Sequence, residues 1–62
     1  MADQPISILL HTNAFGTYLI YAVYPRHQVL LASVSHHIER ELVRRLAQVF
    51  AVEYGMVEVK ED

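Results

Sequence analysis

Thr17-Tyr18-Leu19-Ile20-Tyr21-Ala22-Val23-Tyr24 is the stretch on which the fold of this 62-residue chain turns. Aromatic and β-branched residues dominate it, which marks a strand. Alternation puts Tyr18, Ile20, Ala22 and Tyr24 on one face and Leu19, Tyr21 and Val23 on the other, and both sets are apolar. A strand apolar on both sides is a central strand covered on both sides. Whatever surrounds residues 17–24 must therefore supply two layers of cover.

Working back toward the N-terminus, Asn13-Ala14-Phe15-Gly16 supplies Asn and Gly, which tolerate left-handed backbone, over the length of a hairpin loop. Before it, Ile6-Ser7-Ile8-Leu9-Leu10-His11 alternates imperfectly, as a half-buried strand does. Working forward, Pro25-Arg26-His27 is a turn, because proline cannot donate to a sheet ladder. Residues 28–34, Gln-Val-Leu-Leu-Ala-Ser-Val, then read as a third strand. The competing reading is one helix from Arg26 to Tyr54 with Pro25 at its first position. Such a helix is long for a small domain, and Ser33 and Ser35 fall where a shorter helix starting at His36 needs an N-cap.

From His36 the period changes. Ile38, Leu42, Val43, Leu46, Val49 and Phe50 recur at helical spacing, with Glu39, Arg40, Glu41, Arg44, Arg45 and Gln48 on the other side. Glu41 and Arg45 form a favourable i,i+4 pair, and Gly55 is a natural stop for a helix over 36–53. Residues 56–60, Met-Val-Glu-Val-Lys, alternate again as a short edge strand. Glu61-Asp62 reads as a solvated terminus. The order is β-β-β-α-β, with strands at about 6–11, 17–24, 28–34 and 56–60. This predicts one small α+β domain over 1–62, an antiparallel meander carrying one helix. If the meander runs up, down, up, the helix returns down and the last strand pairs in parallel with its neighbour, through a right-handed crossover if that neighbour is the third strand.

Composition limits what such a chain can do. It is 53% hydrophobic and 19% charged with a net charge of −2, far from the regime of disordered chains. There is no cysteine, hence no disulfide framework, thiolate metal site or cysteine nucleophile. Gln4 to Pro25 carries no Asp, Glu, Lys or Arg, but its middle, residues 11–17, is polar and turn-rich, which argues against a membrane span. Asp3 in place of a basic n-region argues against a signal peptide. The expected setting is cytoplasmic, with no membrane.

Candidate chemistry is sparse. His11, His27, His36 and His37 lack metal-ligand spacing, and an oligomer interface gathering them into a metal or ligand site is the least favoured reading. Ser7, Ser33, Ser35, Thr12 and Thr17 sit in no nucleophile motif, and Gly16 and Gly55 form no phosphate loop. No catalytic residue, cofactor or metal is expected, and the chain is not read as an enzyme. One helix can cover only one face of the sheet, so the other is expected to be buried by a second copy. Tyr18, Ile20, Tyr21 and Tyr24 are the candidate self-association residues. Arg26, Arg40, Arg44 and Arg45 are candidates for contacting another protein or, alternatively, nucleic acid, against which the negative net charge and pI near 6.0 weigh. The reading is a non-enzymatic interaction module, a homodimer of accessory, regulatory or inhibitor type.

Overall fold

A computed structural model describes residues 4–62. Its elements are β1 (Ser7–Thr12), β2 (Tyr18–Val23), β3 (Gln28–Val34), α1 (Arg40–Glu53) and β4 (Glu58–Glu61). The fold is α+β, a β-β-β-α-β chain whose strands form one sheet in the order β3-β2-β1-β4. Strands β1, β2 and β3 pair antiparallel as a meander, and β4 pairs in parallel with β1. The parallel partner of the last strand is thus β1 and not the third strand.

The β1–β2 loop closes on Asn13. Its side-chain Oδ1 accepts the backbone N–H groups of Phe15 and Thr17 at 2.9 and 3.1 Å, and its carbonyl accepts that of Gly16 at 3.0 Å. Gly16 takes φ +83°, a left-handed conformation that β-carbon sterics disfavour. Tyr24 and His27 close the next turn, Tyr24 N–H donating to the His27 carbonyl at 2.8 Å around Pro25 and Arg26.

Helix α1 begins at Arg40, four residues later than the periodicity predicts. Ser35 does cap a turn, its Oγ accepting His37 N–H at 3.2 Å while its carbonyl accepts Ile38 N–H at 3.1 Å. Glu39, extended at φ −60°, ψ 136°, ends that turn and becomes the residue from which the helix starts, without a side-chain cap. The detour has a geometric cause. β3 is an edge strand whereas α1 lies over β1 and β4, so residues 35–39 must carry the chain across β2. His36 and His37 consequently sit in this link, not on the helix. At the far end Gly55 (φ +95°) and Met56 (φ +61°) turn the chain back, with Met56 N–H donating to the Ala51 carbonyl at 2.8 Å.

The core is the layer between α1 and the sheet. Ile8, Leu10, Ile20 and Ala22 meet Val43, Ala47 and Ala51, all essentially without solvent exposure. Val43, Ala47 and Ala51 are spaced by four, so they share one face of the helix. The two alanines set how closely the helix axis approaches the sheet. Leu46, Phe50, Tyr54, Val57 and Val59 close the margins.

Two substitutions test this packing. Gly16→Ala is expected to lower unfolding stability by about 1–2 kcal/mol through the left-handed φ alone, and its new Cβ would stand 3.3 Å from His36 Cβ. Ala47→Leu should cost about 1–3 kcal/mol by overpacking a filled layer. Urea titration followed by circular dichroism reads both.

Candidate interaction surface

Strand register assigns every sheet residue to a face. Cross-strand partners share a side, so the rows Val29–Ala22–Ile8–Val59 and Ala32–Ile20–Leu10–Glu61 lie under the helix. The rows Leu30–Tyr21–Leu9–Lys60 and Gln28–Val23–Ser7–Glu58, with Leu19 and His11 beyond them, lie on the opposite face. Among the described residues no helix or strand covers that face. Leu9, Leu19, Tyr21 and Val23 are half-buried by one another and Leu30 is 52% exposed.

The four sheet residues singled out by sequence divide between the two faces. Tyr21 stands on the open face. Tyr18, Ile20 and Tyr24 stand on the helix side, and Ile20 is completely buried in the core. Leu9, Leu19, Val23 and Leu30 are the open-face residues missing from that set. Leu9 and Leu19 were legible as the off-face residues of their strands. Leu30 was not, because a register shift between Ile20 and Tyr21 puts Tyr21 opposite Leu30 and Ile20 opposite Ala32. Leu31 is thereby the extra residue, and it packs toward the core.

A second apolar surface lies on the helix side. Because α1 sits over β1 and β4, its flank toward β2 and β3 leaves Leu42 and Val49 exposed. Ile38, just before the helix, and Val29 on β3 are also exposed. These four are the exposed apolar side chains on this side of the fold nearest β3 and the start of α1.

The arginines are not a free basic cluster. Arg40 Nη2 and Arg44 Nε each donate to Glu61 at 3.1 Å, and Arg44 Nη1 lies 3.5 Å from Glu41. The Arg40 guanidinium also sits 5.9 Å from the centroid of the Tyr18 ring. Arg45 lies on the exposed face of α1, and Arg26 lies in the β2–β3 turn. Gln4, Tyr24, Pro25, Arg26 and His27 line an open depression of about 300 Å³, where the Tyr24 and His27 rings stack at 4.6 Å. The C-terminal acids, expected to be solvated, are engaged: Glu61 holds both arginines, and Asp62 pairs with His11 Nδ1. Val57, Val59 and Glu61 share a parity, so β4 aims Glu61 at the helix.

His36 and His37 tilt against each other at 4.0 Å between ring centroids in an exposed turn. Among the described residues no three His, Asp or Glu side chains converge as a metal site. No helix of the described residues is long and apolar enough to cross a membrane. No protein-family model, curated protein or solved structure matches this chain.

The Glu61 carboxyl is held below the ordinary glutamate range, chiefly by its hydrogen bond from Arg44 and further by Arg40. A carboxylate with a depressed folded-state pKa stabilises above its unfolded pKa and loses that contribution as pH falls through the folded one. Thermal melts at neutral and strongly acid pH should therefore show Glu61→Gln less stable than the parent at neutral pH. The gap should close in acid, and a gap of constant size would remove the ion pair's role.

Proposed function

We propose that this protein is a non-enzymatic interaction module that self-associates through the open face of its sheet and presents the exposed apolar side chains beside α1 to another protein. The observation that supports it is the open face itself. Leu9, Leu19, Tyr21, Val23 and Leu30 form a continuous apolar surface on the side of the sheet away from α1. Contiguous apolar surface on a small soluble domain marks an association site, and a two-fold dimer uses one self-complementary patch. Tyr21 at its centre is the residue type favoured at such contacts. The engagement of Arg40 and Arg44 by Glu61 weighs against the nucleic-acid alternative, since a phosphate would have to displace a carboxylate already bound to both. A cytoplasmic setting is part of the same proposal.

Light scattering over a dilution series is the test. The expected mass at high concentration is twice 7.1 kDa, falling toward 7.1 kDa on dilution. Leu30→Lys, at an already exposed position, should give a folded monomer at concentrations where the parent is dimeric. Leu42→Lys, on the helix flank, should leave the dimer intact. A parent that stays monomeric at millimolar concentration would overturn the self-association reading.

A further inference from the structure

The open face carries Glu58 and Lys60 beside the Asp62–His11 pair, and the placement of the first two selects how two copies meet. Glu58 and Lys60 both lie on β4, two residues apart, and both point to the open face. Glu58 continues the row of Val23 and Ser7, and Lys60 continues the row of Tyr21 and Leu9. Both side chains are exposed. Neither takes part in the ion pairs of the described residues, which involve Arg40, Arg44, Glu41, Glu61, His11 and Asp62. Asp62, at the parity of Lys60, borders the same face but is already engaged with His11, and the remaining polar members of the rows are Ser7, Gln28 and Ser33.

We propose that a second copy of this chain docks face to face with its strands antiparallel to the first, so that Glu58 of each copy pairs with Lys60 of the other. The proposal rests on the self-association reading above and adds its orientation. Two two-fold arrangements bring the open faces together. With the axis parallel to the strands, β4 of one copy faces the β3 edge of the other. Glu58 and Lys60 would then be set over the uncharged Gln28, Leu30 and Ser33. With the axis across the strands, β4 faces β4 in the opposite direction, and the Glu–Lys order reverses. Each acid then meets the partner's base, and the uncharged β3 edges face each other. Packed sheets lie about 10 Å apart, a gap two long charged side chains reach across at the rim.

Charge is able to decide between the two because the apolar patch is small. The whole face, four strands wide and up to about six residues long, spans roughly 19 by 20 Å, about 400 Å² in plan, and the apolar patch is only part of it. Even the whole face is about half of one side of a standard interface. Association on such a patch is concentration-dependent, so a pair of rim contacts made twice shifts its equilibrium measurably.

Charge exchange tests the arrangement. In sedimentation equilibrium at low salt, Glu58→Lys and Lys60→Glu alone should each weaken the dimer about tenfold, since each turns two attractive contacts repulsive. The double exchange, Glu58→Lys with Lys60→Glu, should recover the parent affinity to within about twofold. Mixing the two single variants should give a heterodimer tighter than either homodimer, with the differences shrinking in 0.5 M salt as screening requires. Circular dichroism checks that each variant is folded. Single variants as tight as the parent, or a double exchange as weak as the singles, would overturn the orientation while leaving self-association standing. A monomeric parent would overturn both.

Discussion

A single helix facing a four-stranded sheet is the constraint from which the rest of this structure follows. Fourteen helical residues make a rod about 21 Å long and 10 Å wide, whereas the sheet is about 19 Å wide and has two faces. The rod cannot cover even one face completely, and β3 is left at its margin. It lies over β1 and β4, where it closes the one strand pair joined by a long connection, and Ala47 and Ala51 let it sit close enough to exclude water from Ile8 and Leu10. Every remaining apolar residue of β2 and β3 must be shielded by its neighbours, by the helix margin or by another molecule. The open face and the exposed apolar residues beside the helix are thus the arithmetic remainder of a core built with too few elements, and β3 is the least buried strand of the meander.

The two sheet edges answer this constraint differently. β4 has four residues, three of them charged, and Val59 is its one apolar member. So little apolar area cannot anchor a strand, and ionic contacts do part of the work: Glu61 ties it to Arg40 and Arg44, while Asp62 N–H donates to the Leu10 carbonyl at 3.1 Å and its carboxylate meets His11. A charged edge also discourages further strand addition. β3 has no charge between Gln28 and Val34 and relies instead on the irregular register at Leu31, which kinks the strand. One edge is closed by electrostatics and the other by shape.

Much of this was legible in the amino-acid order. The five elements, their types and the α+β class follow from period changes at His11, Tyr24, His36 and Gly55, and residues 28–34 form the expected strand. What stayed hidden depends on how elements meet. The helix starts at Arg40 because the link from an outer strand must cross β2, a fact of strand order that no cap residue encodes. Tyr18, Ile20 and Tyr24 fall on the helix side because Ile20 and Ala22 pair with Leu10 and Ile8 beneath the helix. A strand apolar at both parities carries no label for which side receives it. Ala22 is the one clue: a small residue beside bulky neighbours marks where another element approaches. Glu61 shows the same limit from the opposite side, since a terminal acid reads as solvated until the parity of Val57 and Val59 aims it at a helix whose position is not yet known.

If the chain self-associates as proposed, folding and association are coupled at this size. A 60-residue domain buries only about 60% of the surface its unfolded form exposes, and chain ordering consumes most of what that burial contributes. Here the shortfall is visible as particular side chains, Leu9, Leu19, Tyr21, Val23 and Leu30, whose burial is incomplete within one copy. A partner that covers them binds the folded state and not the unfolded one, so it adds to stability in proportion to its occupancy. Selection for a folded chain and selection for an associated one then act on the same residues. On that argument the apolar open face needs no second purpose to be retained, and specificity for another protein has to reside elsewhere. In the proposed reading the exposed Ile38, Leu42, Val49 and Val29 answer that requirement, because they contribute little to the buried layer.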